Sequence, residues 1–450
     1  MNDIEKILIT KNKYLKGSIF LNNDKKNIDK DDYMIENMSE NLAFKYQKNK
    51  NQNKKNLLDD FKNRFKKYRQ DWNQQPESCI KNKYTVNNLK EKKVIPLCID
   101  IEVASICDLA CPFCYREFIV TPDKIINDKL CYRIIDQASD LGVPSIKFNW
   151  RGEPLLNPKI YDYIKYAKKK GILETIINTN ATNLTETNSK KLIDCGLDLM
   201  IYSFDGGTKK TYEKMRPGRF KKNTFEKVYL NIKKFKEIRE KNKAKFPFTK
   251  IQMILTNETV NEVNEFFENF RDYVDNVSLN QYTERGGNVD ELSEDEKKKY
   301  NQLLEKNKLP NGTAYMRDIF GNISVSTGRE PCKQIYQRLL ITYEGKVGMC
   351  CHDWGASHTV GFTDDLAFDN FGDYKKVAEN VKKEKPGFEL LKEAKISKNF
   401  NNPKKKVDTI KDIWLGDELD KVRKKHINDK SEDVSICSKC TFKDVYKWSR

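Results

Sequence analysis

The chain has 450 residues, of which 38% are hydrophobic and 33% are charged, and its formal net charge is +18. No apolar run approaches the roughly 18 residues that a membrane-spanning helix needs, and the first residues lack the basic-then-apolar order of a secretory signal. We therefore expect a cytoplasmic protein of two or three domains with no membrane span.

Residues 1–90 are predicted to form a polar N-terminal extension that is mostly helical or disordered. They carry 20 Lys and Arg against 12 Asp and Glu. They lack the arginine-rich stripes interleaved with aromatic residues that bind single-stranded nucleic acid, so we interpret this charge as a solvated surface and expect no nucleic-acid partner. One stretch has apolar residues at helical spacing and predicts an amphipathic helix that packs on the next domain: Leu57, Leu58, Phe61, Phe65 and Tyr68.

Residues 91–290 show strands that alternate with helices. The predicted strands are 97–103, 145–150, 174–178, 197–204, 250–255 and 277–282, and the predicted helices are 129–141, 158–170, 189–195, 224–241 and 260–270. This order builds an α/β fold with a parallel sheet and right-handed crossovers. Six such units are too few for a closed eight-stranded barrel, so we expect a partial barrel with its chemistry at the C-terminal ends of the strands.

The alternating pattern ends near residue 290. Residues 291–330 are predicted to form a linker, with a charged helix over 293–306 followed by a loop. Residues 331–450 are predicted to form a small α+β domain. It would contain a hairpin that turns at Glu344-Gly345, a loop insertion over 364–408 and an amphipathic helix over 410–426.

The chain has twelve cysteines, and without an export signal they favour metal binding or catalysis over disulfides. Cys107, Cys111 and Cys114 are spaced C-x3-C-x2-C just beyond the first predicted strand. Three such thiolates can bind three irons of a cubane [4Fe–4S] cluster, and the lack of a fourth cysteine leaves one iron open. The alternatives are a zinc site, which would need a fourth ligand nearby, and three unrelated buried thiols.

This cysteine loop resembles that of the radical S-adenosylmethionine (SAM) superfamily, in which C-x3-C-x-aromatic-C follows the first strand of a partial (β/α)6 barrel. The resemblance implies that SAM chelates the open iron. Its cleavage would give a 5′-deoxyadenosyl radical that abstracts a hydrogen atom from the substrate. The resemblance also implies an electron donor of the flavodoxin or ferredoxin type.

Short motifs at the next strand ends match the same superfamily. The resemblance implies that six residues border SAM: Phe113, Gly152, Glu153, Asn178, Ser203 and Asp205. Arg151 stands where the superfamily's GGEP turn has its first glycine. Six residues near strand ends are equal candidates for the general base of the pocket: Arg151, Glu153, Gln252, Tyr282, Glu284 and Arg285.

A second cysteine set contains Cys332, Cys350, Cys437 and Cys440. On spacing alone, four thiolates with a C-x2-C pair fit zinc as well as an iron–sulfur cluster. The set resembles the SPASM/twitch extension of radical SAM enzymes, in its shorter single-cluster form, which implies an auxiliary [4Fe–4S] cluster. Cys351 is an alternative to Cys350 as the ligand and also a candidate hydrogen-atom donor to a substrate radical.

A cluster with four protein ligands has no vacant iron for substrate, so it suits an outer-sphere electron acceptor. The same cysteine arrangement occurs in a single-cluster dehydrogenase of an aminocyclitol antibiotic pathway. We therefore expect a radical SAM oxidoreductase that dehydrogenates or epimerises a carbon of a small-molecule substrate, a sugar or a cyclitol. Two alternatives stay open: a maturase of a ribosomally made peptide, and a non-enzymatic iron–sulfur or zinc-binding interaction protein.

Overall fold

The structure is a computed structural model that describes most of the chain. The described residues are 18–20, 29–50, 56–114, 116, 122–283, 290–353, 356, 358–368, 403–438, 440 and 442–449. The predicted insertion over 364–408 and the candidate residues Glu284 and Arg285 therefore fall largely or wholly outside the described residues. Within the described part of the chain, no helix is long and apolar enough to cross a lipid bilayer.

The strands of the described residues form two sheets. They are β1 (Ser18–Phe20), β2 (Cys98–Ile101), β3 (Ser145–Lys147), β4 (Glu174–Thr179), β5 (Leu199–Ser203), β6 (Phe248–Leu255), β7 (Asn276–Gln281), β8 (Tyr315–Arg317), β9 (Ile323–Arg329), β10 (Arg338–Ile341), β11 (Lys346–Gly348), β12 (Thr359–Phe362) and β13 (Tyr446–Ser449). The larger sheet has the order β1-β7-β6-β5-β4-β3-β2-β10-β11-β12, and the smaller has the order β13-β9-β8.

Helices cover the larger sheet and flank the smaller one. They are α1 (Lys30–Glu36), α2 (Leu42–Lys50), α3 (Leu57–Lys81), α4 (Val86–Glu91), α5 (Asp128–Leu141), α6 (Ile160–Lys170), α7 (Glu186–Asp194), α8 (Lys209–Met215), α9 (Phe225–Lys241), α10 (Val263–Phe270), α11 (Glu294–Asn307), α12 (Ile410–Trp414), α13 (Asp417–Ile427) and α14 (Ser435–Ser438).

Strands β2 to β7 confirm the predicted partial (β/α)6 barrel. Each pairs in parallel with the next one along the chain, and helices intervene at the predicted places. Alternate residues of β6 show the two faces of the sheet: Ile251 and Met253 are fully buried, whereas Lys250 and Gln252 are half-buried. The apolar face lies under the helices and the polar face lines the barrel interior, because side chains of a strand alternate between its faces.

The predicted amphipathic helix in the N-terminal extension is the first part of α3, and it packs on the barrel. The Tyr68 hydroxyl donates a 2.8 Å hydrogen bond to Glu174 at the start of β4. Farther along α3, the Gln75 side chain donates to the carbonyl oxygen of Tyr336 at 2.7 Å. Helix α3 thus ties the N-terminal region to both the barrel and the C-terminal part of the chain.

The C-terminal hairpin joins the barrel sheet. Strand β10 pairs in parallel with β2, with Arg338 opposite Cys98 and Ile341 opposite Ile101, and β11 and β12 continue the sheet in antiparallel pairing. The turn at Glu344-Gly345 is where the sequence predicted it. The prediction of a loop after α11 is wrong for residues 315–329. These residues form the antiparallel hairpin β8–β9, and β9 also pairs with β13.

A buried ion pair lies at the N-terminal ends of β4 and β5, at the opposite edge of the barrel from the cysteine loop. Lys168 of α6 donates to Asp198 at 2.6 Å, and both side chains are about fully buried. Asp198 also accepts hydrogen bonds from the Asn41 amide at 2.8 Å and from the Thr175 N–H at 2.7 Å. The pair therefore joins the N-terminal extension, α6, β4 and the start of β5.

Replacing Lys168 by methionine is expected to destabilise the barrel. Loss of one partner leaves a buried carboxylate without its cation, which costs about 3–5 kcal/mol in the free energy of unfolding. The measurement is urea unfolding of the K168M chain. The control is K169M, since Lys169 is exposed and surface substitutions change stability by only about 0.5 kcal/mol. Equal stability of the two variants would contradict the expectation.

Candidate functional site

The loop that carries Cys107, Cys111 and Cys114 follows β2 and is held by main-chain hydrogen bonds from two other turns. The Glu153 N–H, in the turn after β3, donates to the Ile106 carbonyl oxygen at 2.8 Å. The turn after α8 contributes two more, between the Ala110 N–H and the Pro217 carbonyl oxygen and between the Arg219 N–H and the Asp108 carbonyl oxygen. The cysteine loop is thus positioned by segments far from it in the sequence.

Gly152 permits the first of these contacts. Its φ is +72°, and a Cβ at this position would lie 2.5 Å from the carbonyl oxygens of Ala104 and Ile106. A φ in this region and such a close backbone approach both require glycine. The motif that the sequence analysis assigned to SAM binding therefore also shapes the cysteine loop.

The Arg151 that replaces the expected glycine has a structural explanation. Its guanidinium forms a bidentate ion pair with Glu102, at 2.7 and 2.8 Å, and both side chains are buried. Glu102 lies just beyond β2 and also accepts the N–H of Tyr343, in the C-terminal hairpin, at 3.3 Å. Arg151 thus adds a buried ion pair between the turn after β3 and the end of β2, which a glycine could not form.

Glu153 acts within the protein as an acceptor for the turn after β4. Its carboxylate accepts the Asn180 N–H at 2.8 Å and the Thr179 hydroxyl at 2.7 Å. Burial raises the pKa of Glu153 to about 7. The Asn180 side chain in turn donates to Asp108 at 2.8 Å and lies 3.9 Å from the Cys107 sulfur. Through these hydrogen bonds Glu153 holds Thr179 and Asn180, and so fixes the turn after β4 beside the cysteine loop.

Asp205 is held by Arg216, a residue that the sequence analysis missed. The Arg216 guanidinium donates to one Asp205 oxygen, with its Nε at 2.8 Å, while the other oxygen accepts the Ile254 N–H at 2.9 Å. The guanidinium also lies over the ring of Phe113, 5.4 Å from its centroid. This contact brings two of the predicted SAM-binding residues together beside the cysteine loop.

Asn178 and Ser203 lie at the C-terminal ends of β4 and β5, on the side of the cysteine loop. The Asn178 Oδ1 is buried and has no hydrogen-bond partner among the described residues. A buried acceptor without a donor is costly, so this atom fits a ligand that brings a donor, such as an ammonium or a hydroxyl group. Gln252, one of the pocket candidates, accepts a hydrogen bond from the Asn280 side chain at 2.9 Å.

The donor set of the cysteine loop fits a cluster. Burial raises the pKa of Cys111 to about 12 and that of Cys107 well above its usual value, and the neighbouring thiols add to both shifts. Thiolate is the usual protein ligand of such clusters, and a cubane cluster binds each thiolate at a different iron. The three thiols of this loop can supply three of those ligands.

The second cysteine set meets where β10, β11 and the C-terminal segment come together. Burial raises the pKa of Cys437, and Cys332 and Cys440 raise it further. The pKa of Cys350 is raised mainly by its hydrogen bond with Cys351 and by burial, and the thiols of Cys332 and Cys440 raise it further. These mutual effects place all four predicted ligands in one neighbourhood, although the two pairs lie far apart in the sequence.

Cys350 and Cys351 are adjacent, but their sulfurs have different further hydrogen-bond partners. The Cys350 sulfur accepts the His352 N–H at 3.2 Å, and the Cys440 sulfur similarly accepts the Phe442 N–H at 3.4 Å. Hydrogen bonds of this kind stabilise thiolates. The Cys351 sulfur instead lies 3.9 Å from both Gln334 and Arg338, and its carbonyl oxygen accepts the Trp150 indole N–H at 3.0 Å.

Two family models match the sequence. Residues 101–270 match the Radical SAM superfamily, and residues 332–441 match SPASM, an iron–sulfur cluster-binding domain. These domains use SAM, a [4Fe–4S] cluster and auxiliary iron–sulfur clusters. The first match covers β2 to α10 and includes the first cysteine set, and the second match includes the second set.

Curated relatives match only part of their own length. The chain is 32% identical over 108 residues to the tungsten-containing aldehyde ferredoxin oxidoreductase cofactor-modifying protein of Pyrococcus furiosus, covering 23% of this chain and 30% of that protein. It is 35% identical over 112 residues to a probable GTP 3′,8-cyclase of Methanothermobacter marburgensis, covering 25% and 36%. It is 28% identical over 114 residues to a PqqA peptide cyclase of Bradyrhizobium diazoefficiens, covering 25% and 29%.

Similar solved structures include proteins bound to a small molecule and to a peptide. BtrN in complex with AdoMet and 2-DOIA is 15% identical, with a TM-score of 0.41 and coverage of 77% of this chain and 93% of that chain. Streptococcus suis SuiB bound to precursor peptide SuiA is 16% identical, with a TM-score of 0.48 and coverage of 80% and 73%.

Substituting Gly152 by alanine is expected to displace the cysteine loop, because the new Cβ overlaps two carbonyl oxygens. Anaerobic reconstitution of the unaltered chain should give about eight irons, from two [4Fe–4S] clusters, and the G152A variant should lose about half of them. The control is G312A, since Gly312 has a similar φ of +82° with no atom near its Cβ position. Full iron content in G152A would refute the expected displacement.

Proposed function

We propose that this chain, a radical SAM enzyme with a C-terminal SPASM-type iron–sulfur domain, dehydrogenates an alcohol carbon of a carbohydrate or cyclitol. The observation that supports the proposal is that the thiols of Cys332, Cys350, Cys437 and Cys440 influence one another's pKa values and so lie near one another. Four such ligands would fill the protein positions of an auxiliary cluster without a ligand from substrate. A fully ligated cluster suits electron transfer, and a dehydrogenation requires an electron acceptor.

In this proposal Cys107, Cys111 and Cys114 would hold a [4Fe–4S] cluster with one iron left without a protein ligand, and SAM would bind beside it. When bound, the cluster and SAM together supply a carbon-centred radical that can remove a hydrogen atom from the substrate. The protein's own contribution is to hold this loop fixed through the turns at Gly152 and Pro217.

Several side chains of the barrel rim then position SAM. The unpartnered Oδ1 of Asn178 accepts a hydrogen bond from it, and Ser203 offers a hydroxyl at the end of β5. Phe113, held under the Arg216 guanidinium, supplies an aromatic face for the adenine. Both carboxylate oxygens of Asp205 are engaged by Arg216 and the Ile254 N–H, so we assign Asp205 a positioning role.

The second cysteine set would account for the electron balance of the reaction. Turning an alcohol carbon into a carbonyl group removes one hydrogen atom, one proton and one electron. SAM chemistry would take the hydrogen atom, the solvent or a base would take the hydroxyl proton, and a cluster held by Cys332, Cys350, Cys437 and Cys440 would take the electron. Arg338 pairs with Asp100 of β2 at 3.0 Å and lies 3.9 Å from the Cys351 sulfur.

Label transfer from deuterated substrates is the experiment that tests this function. The reduced, reconstituted chain is incubated with SAM and a panel of sugars and cyclitols, each deuterated at its hydroxyl-bearing carbons. We expect deuterium in 5′-deoxyadenosine and a product that is three mass units lighter than the deuterated substrate, because one deuterium and one hydroxyl proton are lost. The control is the chain with Cys107, Cys111 and Cys114 changed to alanine, which should not cleave SAM.

Other outcomes of the same experiment count against the proposal. Deuterium transfer with a product only one mass unit lighter than the deuterated substrate would indicate epimerisation, because hydrogen then replaces the abstracted deuterium. Label arriving only from a deuterated peptide would indicate a maturase. Bound zinc with no SAM cleavage by the reconstituted chain would favour a non-enzymatic metal-binding protein.

Separate alanine variants of Cys350 and Cys351 test the ligand assignment. Because the Cys350 sulfur receives a main-chain N–H and interacts with Cys332 and Cys440, C350A should retain about four irons per chain rather than about eight. C351A should retain about eight, and each variant is the matched control of the other. Iron loss in C351A, with normal iron content in C350A, would reverse the assignment.

A further inference from the structure

The Cys437 sulfur differs from the other three of its set in the group that faces it. The sulfurs of Cys350 and Cys440 accept main-chain N–H groups two residues ahead of them. Cys437 instead faces a side chain, the imidazole of His426, whose Nε2 lies 3.5 Å from the sulfur. His426 lies on α13 and is 1% exposed.

The other ring nitrogen of His426 fixes which nitrogen carries the proton. The Cys332 N–H donates to Nδ1 at 3.2 Å, so Nδ1 presents its lone pair and is unprotonated. A neutral imidazole has one N–H, and here that N–H must be on Nε2, directed at Cys437. A doubly protonated ring would place an N–H against the Cys332 N–H, which the geometry excludes.

His426 therefore connects two cysteines that lie far apart in the sequence. Its Nδ1 accepts a hydrogen bond from the main-chain N–H of Cys332, and its Nε2–H is directed at the sulfur of Cys437. The Arg329 guanidinium holds the same segment, since it donates to the Cys437 carbonyl oxygen. With Cys332, Cys437 and Arg329 all fixed around it, the buried ring has little freedom to turn away.

We propose that the His426 Nε2–H donates a hydrogen bond to the Cys437 thiolate and thereby raises the reduction potential of the auxiliary cluster. This inference rests on the proposed function, in which Cys437 is a ligand of that cluster. Hydrogen bonds to cluster sulfurs set reduction potentials, because they stabilise the reduced, more negative state most. A higher potential makes the cluster a better acceptor for the electron that substrate oxidation releases. His426 is thus a positioning residue that acts through Cys437.

Two polar variants separate the hydrogen bond to Cys437 from the one to Cys332. In H426Q, the amide nitrogen reaches the place of Nε2 and can still donate to the Cys437 sulfur. In H426N, the shorter amide can replace the Nδ1 acceptor for the Cys332 N–H but cannot reach Cys437. H426L lacks both groups, and H358L is the control, since the backbone N–H of the half-buried His358 binds Asp353 instead of a cysteine sulfur.

The measurement is the midpoint potential of the auxiliary cluster, followed by electron paramagnetic resonance in a redox titration. It uses the full chain with Cys107, Cys111 and Cys114 changed to alanine, so that only the auxiliary cluster contributes. We expect H426N and H426L to shift the potential to more negative values, while H426Q and H358L stay near the parent chain. Retention of the cluster in H426Q alone, with its loss in H426N and H426L, would also support the hydrogen bond.

The inference is overturned if H426N and H426L keep the parent potential, or if H426Q shifts as far as H426N. Loss of the cluster in H426Q as well would also overturn it, by indicating that the ring acts only through packing. A parent chain that binds no iron at all would instead refute the proposed function, and the inference with it, so the two failures are distinguishable by the iron content of the parent.

Discussion

Three neighbouring thiols, of which Cys111 is buried, must be held side by side at one rim of the barrel although they raise the pKa values of Cys107 and Cys111, and much of the surrounding structure serves this constraint. The loop of residues 107–114 cannot fix its own shape, so main-chain hydrogen bonds from the turns at Glu153 and Pro217 do so. Those turns are fixed in turn by Asp108 with Asn180 and by Asp205 with Arg216. The ends of four neighbouring strands therefore act as one support.

The same sheet relates the two cysteine sets to each other. Because β10 pairs directly with β2, the hairpin that leads to Cys350 continues the strand order that carries the first set. The Trp150 indole bonds the carbonyl oxygen of Cys351, and Glu102 binds both Arg151 and the hairpin N–H of Tyr343. The separation of the two sets is thus fixed by strand pairing and buried polar contacts, and not by a flexible linker.

Local sequence patterns predicted the barrel strands, the helices between them and the two cysteine sets. The six barrel strands are short apolar runs between amphipathic helices, and the cysteine spacings are legible without a structure. The pairing of β10 with β2 was missed because periodicity carries no information on which distant strand is the neighbour. The roles of Arg216 and His426 were missed for the same reason: each acts on a residue distant in the sequence, and the Arg-Pro-Gly-Arg turn was the one available signal for Arg216.

The Arg151–Glu102 pair bears on how relatives of this protein are recognised. A pattern that demands two glycines before the Glu-Pro turn would reject this chain, yet the turn keeps its shape because the extra side chain is neutralised and buried by a carboxylate from the adjacent strand. Positions 102 and 151 should therefore vary together through evolution. Homologues with an arginine at one and a carboxylate at the other would form a subgroup that glycine-based signatures overlook.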